Sequence, residues 1–357
     1  MIEALIVFIK IILALIWFLT LTLYLTWVER KESAVIQDRI GANRASIFGL
    51  RLFGLFQPFA DAIKMIFKED FTPTFSRRFL HNLAPFISFF FVSITICAIP
   101  FGDFINLGGR KINLQILDMN VSLLFVLAML SLGIYGILLS GWSSNNRFTL
   151  IGSLRGAAQL ISYEVALGLS LIGLIMVYPS LKLSCIVQHQ GGLIFGFIPK
   201  WGIFLQPLGF LVFFFAALAE TKRVPFDLPE GESEIIGFFT EYSGLKWGLF
   251  MMTDFMEIII VSSLLTTLFF GGWQFPWLSS DGFHFPWGAT CALPHWVVVI
   301  IQVGSFNLKV FFFCWLQVLI RWTYPRFRYD QLMNMGWKLL VPLSLLNIVG
   351  TGILMRI

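Results

Sequence analysis

The sequence predicts an all-α fold: a polytopic membrane helix bundle of about eight transmembrane helices, with an amphipathic surface helix on the cytoplasmic side. Three observations predict it. The 357 residues are 57% hydrophobic and only 13% charged, with mean hydropathy +0.83, far outside the soluble globular range. The apolar residues fall in stretches of about 20, the length that crosses a bilayer as a helix. Between them, the charged residues gather in alternate loops.

The first span, 3–28, is too long for a signal-peptide core and shows no small-residue cleavage site, so it is read as retained. The longest non-spanning stretch, 29–82, follows. It opens on Glu29-Arg30-Lys31-Glu32 and runs through Gln37, Asp38, Arg39 and Asn43. Arg30 and Lys31 alone would fit a snorkelling anchor. The mixed signs exceed what anchoring needs, and suit a docking surface for a protein partner or the mouth of a polar cavity. Farther on, Gln57, Asp61, Lys64 and Lys68 recur at i, i+4, i+7 and i+11, with Leu52, Leu55, Phe56, Phe59, Ile63, Ile66 and Phe67 on the other face. That pattern predicts an amphipathic helix of about 18 residues along the membrane surface; a packed surface helix with no further role is the plainer alternative.

Spans 83–102, 119–140, 158–178, 203–219, 249–270, 295–320 and 337–355 complete a single membrane domain, 1–357. Loops 29–82, 141–157, 220–248 and 321–338 then share one side, and they hold most of the 25 Lys and Arg residues. That side is cytoplasmic, or the matrix side in an organelle, and both termini lie opposite. The net charge of +5 therefore reflects orientation and needs no nucleic acid. The opposite loops, 271–295 above all, are rich in Phe, Trp, Gly and Pro and read as short packed loops.

The chemistry concentrates in 219–234. Glu220, Asp227, Glu230, Glu232 and Glu234 lie there between two long apolar stretches, and Pro225 and Pro229 prevent one continuous helix. Crowded, partly desolvated carboxylates titrate nearer neutrality and exchange protons; a solvated acidic loop is the bland alternative. Glu164, Asp254, Glu257 and Lys309 lie inside spans. Such charges mark an ion path, or a buried pair such as Lys309 with one of the acids. Metal binding fits poorly. Glu230-Gly231-Glu232-Ser233-Glu234 lacks the ligand spacing of a calcium loop, and Cys97, Cys185, Cys291 and Cys314 form no CxxC pair. His81, His189, His284 and His295 fall in loops or at a span edge, where no facing haem pair forms. The chain is expected to carry no metal, haem or flavin of its own.

At these residues the chain closely resembles the membrane subunit of respiratory complex I (NADH:quinone oxidoreductase) known as subunit 1, or in bacteria as the H subunit. The resemblance covers nearly the whole chain. It is carried by Glu29-Arg30-Lys31 with Gln37, Arg39, Gly41 and Asn43, by 54–62 with Lys64, Lys68 and Glu69, and by Gly141-Trp142 with Ser162-Tyr163-Glu164-Val165. It continues through Ala219-Glu220-Thr221, Arg223, Pro225-Phe226-Asp227-Leu228, Glu230-Gly231-Glu232-Ser233-Glu234, Glu241-Tyr242, Lys309 and 325–333. Two departures stand out: Ala42 where the family usually has Pro, and Lys222 where it usually has Asn. Lys222 places a positive charge beside Glu220 that favours the charged form of that carboxylate.

The resemblance implies a heel subunit of the membrane arm, enclosing a quinone channel together with peripheral-arm subunits. NADH, FMN and the iron–sulfur clusters belong to partners, the terminal cluster among them; quinone is the substrate, and other membrane-arm subunits and lipid surround the chain. Mapped by motif, the channel candidates are Arg30, Gln37, Arg39, Phe59, Asp61, Arg223 and Phe226. The proton-coupling candidates are Glu220, Asp227, Glu230, Glu232 and Glu234 in the loop, then Glu164 and Glu241 inward, with Tyr163 and Tyr242 as hydrogen-bonding neighbours. The expected location is the bacterial cytoplasmic membrane, the inner membrane of an organelle being the alternative. Two other readings stay open: the equivalent subunit of an energy-converting hydrogenase or other-donor quinone reductase, and a stand-alone proton transporter. The set of partners separates them.

Overall fold

In lipid, backbone polar groups have no water to bond to, so long apolar segments satisfy them internally as helices. A computed structural model describes residues 2–107, 109–194, 196–231, 235, 237–279 and 281–356, and in it the apolar stretches are helical throughout. The helices are α1 (Ile2–Ile36), α2 (Gln57–Phe67), α3 (Arg78–Thr95), α4 (Ser122–Ser143), α5 (Arg147–Val177), α6 (Leu183–His189), α7 (Gly202–Leu205), α8 (Pro207–Glu220), α9 (Gly244–Phe269), α10 (His295–Thr323), α11 (Tyr329–Asn334) and α12 (Val341–Leu354). A π-helical turn, Met335–Leu340, joins α11 to α12 in one continuous rod. Among the described residues, seven helices are long and apolar enough to cross a membrane.

Helix α3 packs on α4, α4 on α5, and α5 on α8 and α12. Helix α9 touches α1, α2, α3 and α10 and is the most enclosed of the long helices. Its Leu264 and Leu265 join Phe213 of α8, Leu171 of α5 and Phe306 of α10 in the main apolar core.

The last rod starts at Tyr329 rather than at 337, and four further elements differ from the sequence-based expectation, each for a local reason. Helix α1 runs on to Ile36 rather than ending at 28, because Glu29–Val35 holds neither Gly nor Pro to stop it. Helix α5 starts at Arg147 rather than 158: the Asn146 side chain accepts the Phe148 N–H at 3.1 Å and caps a longer first segment. Helix α2 has 11 residues, not about 18. Pro58 sets its start, and the chain before it turns through left-handed backbone at Phe53 and Gly54. A Cβ on Gly54 would sit 2.1 Å from the Ala42 carbonyl oxygen, so only glycine fits there. The span expected at 203–219 forms in two pieces, α7 and α8. Pro207 lacks an N–H, and the Gln206 side chain turns aside to donate to Thr351 Oγ1 at 2.9 Å.

The loops on the side opposite the charged ones are not irregular. Among the described residues they form three small antiparallel sheets: β1 (Phe104–Leu107) with β2 (Arg110–Asn113), β3 (Leu193–Ile194) with β4 (Ile198–Pro199), and β5 (Leu278–Ser279), β6 (Gly282–His284) and β7 (Thr290–Ala292) in that order.

Candidate functional site

The loop after α8 is folded inward and pinned from several sides. Gln159 of α5 donates through one amide nitrogen to the carbonyls of Ala219 and Phe226, both at 2.7 Å. Phe327 N–H donates to the Pro225 carbonyl at 3.0 Å, and Arg326 pairs with Asp227 at 2.6 Å. Phe226 is buried between Tyr163 and Phe327. Gly156 of α5 lets Pro229 pack close; a Cβ there would meet the proline ring at 3.0 Å.

This folding drives charges into the interior. Lys222, 1% exposed, reaches Asp254 at 3.1 Å and Glu257 at 3.0 Å, both on α9. Arg223 pairs with Glu29 of α1 at 2.8 Å, and Arg321 of α10 pairs with the other Glu29 oxygen. The Arg223 guanidinium also lies over the Phe255 ring, 3.9 Å from its centre. Glu230 is hydrogen-bonded to Asp254. Glu257 and Glu164 lie near enough to Glu220 for their charges to repel it, and one oxygen each of Glu220, Glu257 and Asp227 has no partner among the described residues. The carboxylates of this cluster outnumber its cations.

The loop groups carry that imbalance. Burial pushes the Asp227 carboxyl up to about 6, with Arg326 opposing. Burial, then Asp254 and Asp227, push Glu230 well above the ordinary carboxylate range. Burial alone would lower Lys222, but Glu257 and Asp254 more than offset it, and its ammonium stays charged beyond the ordinary lysine range.

A second feature adjoins the cluster. A cavity of about 720 Å³ lies between α1, α2 and α9, lined mostly by apolar side chains such as Leu19, Met65, Trp247 and Phe255. Arg30 and Asp61, paired at 2.6 Å, stand on its wall. Phe255 separates the two features: one side faces the cavity, and the Arg223 guanidinium stacks on the ring. Helix α2 turns Phe59, Ile63, Ile66 and Phe67 outward, where they are exposed. Ser243 and Lys246 hold its far end to α9, through the Glu69 carbonyl at 2.8 Å and Asp70 at 2.7 Å.

Of the channel candidates, Arg30 and Asp61 therefore line the cavity. Arg223 stands behind its wall, and Phe226 lies in the core. Phe59 is on the outer face of α2, and Gln37 and Arg39 are exposed and bonded to each other at 2.7 Å. Of the coupling candidates, Glu220, Asp227 and Glu230 meet in the cluster. Glu164 accepts from Ser131 of α4, and Glu241 accepts from Asn146 at 2.7 Å. Glu232 and Glu234 lie outside the described residues. The expected tyrosine partners point elsewhere: Tyr163 donates to the Leu332 carbonyl at 2.9 Å, and Tyr242 stacks on His81 with its hydroxyl 3.4 Å from Ser143. Burial pushes the Tyr242 phenol up to about 12.

The pairing suggested for Lys309 is corrected. Its ammonium donates to the carbonyls of Phe270, Gly272 and Gln274, at 2.8, 3.0 and 2.6 Å, and not to a carboxylate. Sequence reasoning missed Arg321 and Arg326 as members of the cluster; their place in a basic loop gave no sign of an inward turn. Glu29 was visible only as part of a motif. Among the described residues, no three His, Cys, Asp or Glu side chains converge as a metal site.

Comparison with known proteins gives one answer across the chain. A family model described as NADH dehydrogenase matches residues 9–352. The chain is 46% identical over 343 residues to an H subunit of NADH-quinone oxidoreductase from Geobacter metallireducens, covering 95% of this chain and 94% of that protein. It is 42% identical over 341 residues to the H subunit of NADH-quinone oxidoreductase from Flavobacterium johnsoniae, covering 93% and 90%. It is also 42% identical over 347 residues to an H subunit of the same enzyme from Rhizobium etli, covering 97% and 93%.

Proposed function

The chain belongs to the NADH dehydrogenase family as an H subunit of NADH-quinone oxidoreductase, and from that premise we propose that it forms the quinone channel and couples quinone reduction to proton translocation. It is an integral membrane subunit of an oxidoreductase complex, and its partners are the other subunits. In the proposal, peripheral-arm subunits with the terminal iron–sulfur cluster dock on its charged side, and the complex sits in a bacterial cytoplasmic membrane.

A hydrophobic quinone enters from the bilayer between α1 and α2. Its tail lies against the apolar cavity wall, and its headgroup passes Arg30 and Asp61 towards the partner's cluster. There it takes two electrons and two protons to become quinol. The charge change acts across Phe255 on Arg223 and the carboxylates behind it, where low dielectric makes the effect large. Glu220, Asp227, Glu230, Glu232 and Glu234 take up and release protons, and Glu164 and Glu241 pass them inward.

The observation that carries this reading is the shared wall: Phe255 lines the cavity and bears the Arg223 guanidinium, 3.9 Å from its ring centre. Filling the cavity tests it. Met65→Trp in the intact complex is expected to raise KM for a long-tailed quinone at least ~10-fold and to leave a short-tailed analogue nearly unaffected, a difference of ~1.4 kcal/mol. Equal effects on both quinones would place the channel elsewhere. Separately, Glu220→Gln is expected to cut proton pumping in assembled complex, and full pumping would reduce the loop to a docking surface.

A further inference from the structure

We propose that Lys222 is a positioning residue for proton transfer: an internal cation that holds Asp254 and Glu257 as a charged pair and sets how many protons the surrounding carboxylates keep. The inference rests on reading the acidic loop as the proton path.

The backbone does not favour a lysine here. Lys222 has φ 54, left-handed geometry that glycine and asparagine adopt readily and long side chains seldom do. What the position gains is the side chain. It is 1% exposed, and its ammonium bridges Asp254 Oδ1 and Glu257 Oε1, which lie one turn apart on α9.

The charges around it divide into two sets. At the end of α8, one oxygen of Glu220, like the second oxygen of Glu257, is unpartnered among the described residues, and Glu164 of α5 lies near enough to act on Glu220. On the loop side, Glu230 bonds to Asp254 from the other flank. The neighbouring arginines pair with Glu29 of α1, and Arg223 also lies near enough to act on Asp254, Glu257 and Glu230 without an ion pair to any of them. Lys222 is the cation in direct contact with both α9 acids, Asp254 bonded to Glu230 of the loop and Glu257 near Glu220. Without it, Asp254 and Glu257 would face each other and Glu220 with no ion-pair partner, only the more distant Arg223. Carboxylates in that position hold protons to higher pH.

The test uses the intact complex in inside-out membrane vesicles, reading NADH-driven quinone reduction and proton uptake across pH. Lys222→Gln is expected to move the optimum of coupled turnover upward by about one pH unit. Lys222→Gln/Glu257→Gln removes one charge of each sign and is expected to return the optimum to its original position. Lys222→Arg keeps the charge and is expected to keep the profile. An assembled Lys222→Gln complex with an unshifted profile would overturn the proposal. So would a uniform loss of electron transfer and pumping at every pH, the mark of a purely structural residue. If Lys222→Gln does not assemble, the double variant decides: an unshifted optimum supports the proposal, and a displaced one overturns it. Glu220→Gln is run beside them. If it pumps fully, the acidic-loop reading fails and takes this inference with it. If it does not pump while Lys222→Gln shows no shift, only the role of Lys222 falls.

Discussion

The middle of α9 and the turn just past its C-terminal end each receive a lysine, and they treat it differently. At the middle, Lys222 meets Asp254 and Glu257. Past the end, the half-buried Lys309 meets the carbonyls of Phe270, Gly272 and Gln274, with the Trp201 ring 4.7 Å away. Carboxylates gain and lose protons; carbonyl dipoles do not. The first arrangement therefore ties its ammonium to carboxylates, whereas the second ties its nitrogen to the C-cap carbonyl of α9 and to two carbonyls of the turn beyond it. The same side chain serves an acidic cluster and a backbone turn, and its partners make the difference.

The contrast yields a graded set of expectations. Lys222→Met leaves two buried carboxylates without their cation, a change that costs about 3–5 kcal/mol when a buried pair is broken from one side. Thermal melting of the detergent-solubilised complex should show the loss, and adding Glu257→Gln should restore much of it. Lys309→Met removes the common donor of three carbonyls, at about 1–3 kcal/mol, in the same melting measurement. Adding Glu257→Gln to it should recover none of the loss, since its partners are carbonyls; a recovery as large as that in the Lys222 variant would break the comparison. Asp227→Asn should have the smallest effect, confined to pH dependence. The Asp227 carboxyl, raised from 3.8 to about 6, contributes stability that is fully present below pH 3.8 and is lost as pH rises through about 6. The variant should flatten melting temperature across that window; an unchanged slope there would remove Asp227 from the responsive set.

The legible and illegible parts of this molecule follow from sequence distance. Apolar runs such as 119–140 and 295–320 announce their helices because composition and length alone decide them. Helix ends were less legible, since polar residues of good helix propensity, as in Glu29–Val35, extend a helix beyond the lipid. The small sheets at 104–113 and 278–292 went unseen because their strands are two to four residues long. In the site, Glu220, Asp227 and Glu230 were legible as acids in an apolar setting. Their partners were not. Arg223 and Glu29 are separated by 194 residues, and Arg321 and Glu29 by 292, so only the folded packing makes them neighbours. Lys309 was legible as a charge inside a span but not in its partners, because backbone carbonyls leave no mark in a sequence.

The enclosure of α9 has a mechanical consequence. In its most apolar stretch 78% of the residues are buried, against 11% in α1, and a close-packed rod transmits displacement rather than absorbing it. One helix carries Phe255 on the cavity wall, Asp254 and Glu257 beside the ammonium, and the carbonyl cap at its far end. A displacement of Phe255 would therefore be shared by Asp254 beside it and Glu257 two residues on, along one stiff backbone.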